Sequence, residues 1–171
     1  MKWLVIICAL ALSANAAAAQ QPLPALEAPN VRQQAPNLIT GGHPSRGDLE
    51  TLKESGITTV INLQGLEEGS LEEAAIADEL GLHYIALPVT GRNDLTFENA
   101  EKLDAALKLA DGPTFLHCAS SNRVGALMAL RAFHVQKMSP VDALKVGKDA
   151  GLASLASTVE ALIETTNKRV Q

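Results

Sequence analysis

The chain has 171 residues, of which 47% are hydrophobic and only 3% aromatic, and its formal net charge at pH 7 is -5. This length fits one compact domain and leaves too little chain for two full-sized ones. The acidic balance and the lack of basic runs give no electrostatic footprint for nucleic acid or for an anionic membrane surface. We therefore expect neither of these partners.

The N-terminus has the pattern of an export signal. Lys2 precedes an apolar run over residues 3–12, and small residues follow this run up to Ala19. A charged start, a short apolar segment and an Ala-x-Ala context are typical of a cleaved Sec-type signal peptide. The apolar run is also shorter than the roughly 20 residues that a membrane-spanning helix needs. We predict a signal peptide over residues 1–19, no stable membrane anchor, and a periplasmic or secreted mature protein.

The sequence contains two cysteines, Cys8 and Cys118. Cleavage after the signal peptide would remove Cys8 and leave Cys118 as the only thiol, without a disulfide partner in the chain. A lone cysteine in an oxidising compartment is either buried and inert or retained for chemistry. Both interpretations stay open at this point.

After a proline-, glutamine- and alanine-rich segment, predicted as a flexible leader over residues 20–37, strands alternate with helices at short spacing. Strands are predicted at 38–40, 57–63, 83–89 and 114–117. Helices are predicted to begin at Ser45, at Ser70, at Thr96 or Asp94, at Val124 and at Ser139, with apolar residues over 152–162 marking the last. This alternation predicts an α/β domain over residues 38–171, with a central, mainly parallel sheet flanked by helices and a helical C-terminal third.

The helix that begins at Ser70 is predicted from a capping box, because Ser70 is followed three residues later by Glu73. Its inward side chains are expected to be apolar, namely Leu71, Ala74, Ala75 and Leu80.

The segment around Cys118 predicts a strand, a tight turn of small residues and a helix. Successive backbone N–H groups of such a turn converge on one point, to which the helix N-terminus adds a partial positive charge. Arg123 can add a bidentate fork for a tetrahedral oxyanion. The same field favours the thiolate form of a cysteine in the turn. The segment from His117 to Arg123 is therefore predicted to bind an anion beside a nucleophile, at the edge of the sheet where its parallel strands end.

His117, Cys118 and Arg123 resemble the signature of the cysteine-dependent phosphatases, which include the protein tyrosine and dual-specificity phosphatases. That signature has five residues between Cys and Arg, whereas this sequence has four: Ala119, Ser120, Ser121 and Asn122. The shorter loop looks most like the phosphatase-like domain of beta-lactamase-hydrolase-like proteins, over residues 38–135. Its spacing is also similar to the active loop of rhodaneses, which carry sulfur as a Cys persulfide.

The resemblance implies a role for each residue of the loop. Cys118 would be the nucleophile and Arg123 would hold the oxyanion, with His117 as a supporting residue that orders the loop. The substrate would be bound by Ala119, Ser120, Ser121, Asn122 and Val124. Phosphatases of this type take a general acid from a loop after an earlier strand, and Asp94 matches that position; the alternative is that Asp94 only caps the helix at Phe97.

Two residues depart from the family pattern. Ser121 stands where such loops usually have glycine, and Val124 stands where a serine or threonine hydroxyl usually helps the thiolate to leave. Ser120 or Ser121 can be considered as a substitute source of that hydroxyl.

The sequence therefore predicts an exported hydrolase that cleaves a phosphate ester through a thiophosphate intermediate on Cys118. The alternatives are a rhodanese-like sulfurtransferase that uses a Cys118 persulfide and a catalytically silent anion-binding module. The expected partner is a small anionic or phosphorylated substrate, and no cofactor is expected. No metal site is predicted, since His83 and His134 lack ligand spacing with each other or with Cys118, and His43 is predicted as an exposed turn residue. The oligomeric state is not indicated.

Overall fold

The structure, a computed structural model, describes residues 23–170, so the predicted signal peptide over residues 1–19 lies outside the described residues. The strands of the described part are β1 (Arg32–Ala35), β2 (Leu38–Gly41), β3 (Thr59–Asn62), β4 (His83–Ala86) and β5 (Thr114–His117). The α-helices are α1 (Arg46–Glu54), α2 (Ser70–Glu79), α3 (Phe97–Leu109), α4 (Asn122–His134), α5 (Pro140–Asp149) and α6 (Ala156–Val170). Two short 3-10 helices cover Leu66–Glu68 and Arg92–Asp94.

The strands form one sheet in the order β1-β2-β5-β3-β4, in which β1 is antiparallel to β2 and every other pair is parallel. Gly41 at the end of β2 and Asn62 at the end of β3 both pair with His117 at the end of β5. The carboxyl ends of these strands therefore meet at one edge of the sheet, and Cys118 directly follows that edge. The predicted mainly parallel α/β architecture is confirmed.

Alternating side chains of the buried strands separate the core into two clusters, one on each face of the sheet. Val60 and Phe115 pack with α1 and α2 on one face. Ile61 and Leu116 pack with α3, α4, α5 and α6 on the other, which confirms the predicted helical C-terminal third. None of the helices within residues 23–170 is both long and apolar enough to cross a membrane.

The segment before Leu38 requires a correction. Residues 20–37 were expected to be a flexible leader, but β1 pairs with β2 and Gly42 N donates to Pro29 O at 2.7 Å. The polar composition of this segment suits an edge strand, whose side chains are only partly buried.

The predicted inward face of α2 is wrong for Leu71 and Ala75, which are exposed, whereas Leu80 packs against the core as predicted. Leu71 is 68% exposed, whereas Glu73 is only 3% exposed and faces inward with Ala77. The N-cap is Gly69, in the left-handed conformation at φ 88, and not Ser70. Apolar periodicity misplaced this face because the buried carboxylate has a partner, His117, on a different element.

Candidate active site

The site begins where β5 ends. Cys118 is 1% exposed and packs in the cluster on the α4 side of the sheet, and its backbone N donates to Gly41 O at 3.4 Å. The turn that follows ends at Ser121, the N-cap of α4. The predicted order of strand, turn and helix is confirmed. Cys118 therefore lies in the turn directly before the N-terminus of α4.

The carbonyl groups of the turn point away from its centre. Ala119 O accepts from His43 N at 3.2 Å, and Ser120 O accepts from Asn30 Nδ2 at 3.1 Å. In a trans peptide the N–H points opposite to the C=O of the same unit, so the next amide in each case points away from these neighbours. Among residues 23–170, no acceptor binds the backbone N–H groups of residues 119–124. Six consecutive amides are thus available to an anion.

Arg123 is fixed beside these amides by two partners. Its Nη1 donates to Glu68 Oε2 and to Val89 O, both at 2.8 Å, and its Nη2 donates to the other Glu68 oxygen. The Arg123 side chain is only 13% exposed. Hydrogen bonding to Glu68 is the largest cause that raises the pKa of Arg123, and the neighbouring Cys118 adds to it. The guanidinium therefore stays charged next to Cys118.

Glu68 is a site residue that the sequence reasoning missed. It lies in the short 3-10 helix after β3, and 55 positions separate it from Arg123. Hydrogen bonding to Arg123 is the largest cause that lowers the pKa of Glu68, to about 2. No spacing in the sequence links the two residues, because the contact exists only once the ends of β3 and β5 are neighbours.

Ser121 adopts the conformation that glycine would take in such a loop, with φ 67. Its buried hydroxyl donates to Ala150 O at 2.8 Å. Gly151, at φ 107, leaves space for the Ser121 side chain. Any other residue at 151 would place its Cβ only 2.7 Å from the Ser121 Cβ, which is a steric clash. The Ser121 hydroxyl is thus engaged with the α5 end, and the suggestion that it replaces the missing leaving-group hydroxyl is wrong; Ser120 is exposed and remains a candidate.

We expect Ser121→Ala to lower the free energy of unfolding by about 1–3 kcal/mol, because it leaves the buried carbonyl of Ala150 without a donor. Urea denaturation measures this change. Ser120→Ala is the matched control, since this neighbouring serine is exposed, and its midpoint should stay at the wild-type value. Equal midpoints for the two variants would contradict the role given to the Ser121 hydroxyl.

The side chains of two other predicted substrate-binding residues face elsewhere. Asn122 Oδ1 accepts from Ala153 N at 2.8 Å, and its Nδ2 donates to Ser154 Oγ at 2.7 Å. The Val124 side chain is buried in the core. These two residues can contribute only their backbone amides to an anion.

His117 is buried and lies on the opposite face of the sheet edge from Cys118. Its Nε2 is 2.7 Å from Glu73 Oε1, its Nδ1 is 3.4 Å from Cys118 O, and its ring stacks on Phe115 at 5.3 Å between centroids. This position fits a residue that orders the loop. His43, predicted as an exposed turn residue, is 49% exposed but also contacts Glu73 and thus lines the edge.

Asp94 lies in the loop after β4, and its carboxylate accepts hydrogen bonds from earlier residues of the same loop. Its Oδ2 accepts from Thr90 N at 2.8 Å, from Thr90 Oγ1 at 3.0 Å and from Gly91 N at 3.2 Å. The backbone hydrogen bond from Thr90 is the largest cause that lowers the pKa of Asp94. Thr96, and not Asp94, caps α3, so the capping interpretation is wrong. The loop starts beside the site, because Val89 O contacts Arg123.

Comparison with known proteins gives structural likeness only. No family model matches the sequence, and no curated protein matches it significantly. A predicted phosphatase of the DUF442 type from Shewanella putrefaciens CN-32 is 23% identical and superposes with a TM-score of 0.64, over 83% of this chain and 91% of that one. A predicted phosphatase from Neisseria meningitidis is 18% identical with a TM-score of 0.64, over 75% and 94%.

A third similar structure is TpbA of P. aeruginosa, in a Cys-to-Ser variant bound to phosphotyrosine. It is 18% identical and has a TM-score of 0.57, over 78% of this chain and 82% of that one. The chain has the fold of the cysteine-dependent phosphatases. The shared fold confirms the resemblance seen in the sequence, and the likeness covers 75% to 83% of this chain and not only the loop around Cys118.

Proposed function

We propose that the chain is a cysteine-dependent phosphatase that hydrolyses a phosphate monoester. The observation that carries the proposal is the loop around Cys118, where the amides of residues 119–124 have no acceptor within residues 23–170 and the Arg123 guanidinium is held beside them. Donors fixed in advance around the place where negative charge develops are a large part of catalysis of this type. The phosphatase fold and the bound phosphotyrosine of TpbA support the same assignment.

The reaction would proceed in two steps. The Cys118 thiolate attacks phosphorus, the bond from phosphorus to the leaving oxygen breaks, and Asp94 gives that oxygen a proton. Water then attacks the thiophosphate, its proton passes to the Asp94 carboxylate, and the sulfur leaves as the Cys118 thiolate. An alcohol and inorganic phosphate are the products, and no other reactant is consumed except water.

A rhodanese-like sulfurtransferase is the second candidate, because only four residues separate Cys118 from Arg123 and Asp94 is engaged within its own loop. Here the Cys118 thiolate would attack the outer sulfur of a donor such as thiosulfate and release sulfite. The resulting persulfide would pass its sulfur to an acceptor thiolate or cyanide.

The test is to incubate the purified protein with p-nitrophenyl phosphate and, separately, with thiosulfate, and to follow release of p-nitrophenol and the intact mass. Turnover of the ester, inhibited by vanadate, with no stable sulfur adduct supports the phosphatase. One added sulfur atom on Cys118 without ester hydrolysis would establish the second candidate instead. If neither reaction occurs, the proposal is refuted and the chain is a catalytically silent anion-binding module.

Asp94→Asn tests the general acid. Asparagine keeps an acceptor oxygen for the Thr90 and Gly91 amides but cannot donate the proton of a carboxylic acid. We expect kcat for an alkyl phosphate, which has a poor leaving group, to fall about 100-fold or more. Glu98→Gln, at an exposed carboxylate of α3, is the matched control and should keep the wild-type rate.

The same variant has an expected pH dependence. Hydrogen bonds from Thr90 lower the pKa of Asp94, and only the protonated carboxyl can donate. The ratio of the wild-type rate to the Asp94→Asn rate should therefore be largest at acid pH and shrink as pH rises. A ratio that is constant across the pH range would speak against Asp94 as the acid.

We also propose that the protein acts after export. The support is the charged start, the apolar run over residues 3–12 and the small residues up to Ala19. Fractionation of the producing cell, with N-terminal sequencing of the mature chain, tests this proposal.

A further inference from the structure

Three side chains with metal-binding atoms meet on the α2 side of the sheet edge. His43 follows β2, Glu73 lies in α2, and His117 ends β5. One donor atom from each of the three lies within 4.8 Å of the donors of the other two. Two imidazoles and one carboxylate form a donor set that zinc enzymes use for an open metal site.

One carboxylate oxygen of Glu73 accepts no hydrogen bond from residues 23–170. Glu73 Oε1 lies 2.7 Å from His117 Nε2, but Oε2 is buried without a hydrogen-bond partner among residues 23–170. His43 Nδ1 lies 3.5 Å from this oxygen, and Tyr84, whose pKa is raised by burial and by the Glu73 charge, also lies near the carboxylate. Burying a carboxylate oxygen without a donor is costly, so such an atom calls for an explanation.

We propose that His43, Glu73 and His117 bind a divalent first-row transition metal ion of the zinc class. Ligand bonds of about 2.0–2.2 Å at tetrahedral angles place the donor atoms about 3.3 Å apart. The His43 to Glu73 distance of 3.5 Å already fits this spacing. That distance is to Glu73 Oε2, whereas His117 Nε2 lies 2.7 Å from Oε1, so a side-chain adjustment has to open the second distance by about 0.6 Å and bring one or both oxygens to the metal.

Solvent reaches the site from a cavity of about 360 Å³ that His43 and Glu73 line. Glu72 also lines this cavity, as does Glu68, whose charge is paired with Arg123. Glu72 and Glu73 are therefore the carboxylates that make the path negative. Among the lining residues within 23–170, Arg46 is the one cationic side chain, and it is paired with Glu50 at 3.1 Å and with Glu79 at 2.8 Å, both outside the site. The path favours a cation, and water from this cavity can supply a fourth ligand.

Two neighbouring groups support the ligands. His117 Nδ1 faces Cys118 O at 3.4 Å, the arrangement in which a metal-bound histidine directs its second nitrogen to a backbone carbonyl. Gln64 Oε1 lies 2.7 Å from His43 Nδ1, the nitrogen that would bind the metal, so Gln64 has to release this nitrogen and can then add its own amide oxygen as a ligand. The metal site lies behind the Cys118 loop, on the other face of the sheet, and does not depend on the proposed phosphatase activity.

The experiment is a titration of the purified, metal-free protein with Co²⁺, followed by visible absorption, and displacement by Zn²⁺. We expect one Co²⁺ per chain, with ligand-field bands of nitrogen and oxygen ligands and no thiolate charge-transfer band. His43→Ala should weaken binding at least about 100-fold, because even groups that only support a ligand contribute about 10–100-fold. Zn²⁺ should raise Tm of the wild type but not of this variant.

His83→Ala is the matched control, since His83 is a half-exposed histidine beside Asp111 and outside the cluster. It should bind Co²⁺ like the wild type, and so should Cys118→Ser. Glu73→Gln, checked for folding by circular dichroism, should lose the site as His43→Ala does. The proposal is overturned by no saturable binding, by unchanged binding in His43→Ala, or by loss of the metal in Cys118→Ser, which would place the metal on the thiol.

Discussion

Cys118→Ser is expected to lower kcat for p-nitrophenyl phosphate at least about 1000-fold, because a serine hydroxyl at this place has no base to deprotonate it and is a weak nucleophile. The substitution replaces sulfur by oxygen on the same carbon framework, so the buried packing on the α4 side changes little. The measurement is steady-state hydrolysis at saturating ester, with the folded state checked by thermal unfolding.

Phosphate binding should survive in the same variant. The amides of residues 119–124 and the Arg123 guanidinium remain in place, and they are the donors that an oxyanion needs. Titration calorimetry with inorganic phosphate should give an affinity within a few-fold of the wild type. Loss of binding together with loss of turnover would mean that the loop had rearranged, and hydrolysis at the wild-type rate would remove Cys118 from the mechanism.

The local part of the site could be predicted from the sequence because it depends on neighbours along the chain. Thr114 to His117 forms the predicted strand, and the turn leads into α4 as expected. Ser45 likewise begins a helix as predicted, with a capping box in which Asp48 is its partner. Such signals concern residues within one turn or one strand, so they do not depend on how the elements pack.

The rest of the site depends on packing across the sheet edge. Glu68 was missed because its only signal is contact with Arg123, and buried Glu73 was missed because its carboxylate is paired across the fold with His117. The left-handed Ser121 needs the missing Cβ of Gly151, thirty positions further along. The place where such loops usually have glycine is thus filled by Ser121 together with the space that Gly151 leaves. The sequence of the loop alone cannot show this, because Gly151 lies outside it.

Arg123→Lys is expected to lower kcat/KM for p-nitrophenyl phosphate about 100- to 1000-fold, the loss that follows removal of one donor from an oxyanion site. Lysine keeps the charge but loses the planar fork, and it cannot hold both Glu68 and an oxyanion. An unchanged kcat/KM in Arg123→Lys would show that the positive charge at this position is sufficient and that the planar fork of arginine is not needed. Arg131→Lys is the matched control, since Arg131 forms an equivalent pair with Asp104 away from the loop.

Glu68→Gln should have a smaller effect in the same direction, about 10-fold, because it leaves Arg123 charged but holds it less firmly. If Glu68 acts only by positioning Arg123, the double variant should be no worse than Arg123→Lys, and the two losses should not add. Additive losses would mean that Glu68 has a separate role in the reaction.

The ion pair between Glu68 and Arg123 should also affect how the free energy of unfolding depends on pH. Arg123 lowers the pKa of Glu68 to about 2 in the folded chain, below its ordinary value of 4.5. A carboxyl with a lowered pKa stabilises the fold fully above its unfolded pKa, and this contribution is lost as pH falls from about 4.5 toward 2. The difference in unfolding free energy between wild type and Glu68→Gln should therefore be constant near neutrality and shrink over that acid range. A difference that persists at pH 2 would mean that the ion pair is not what Glu68 contributes.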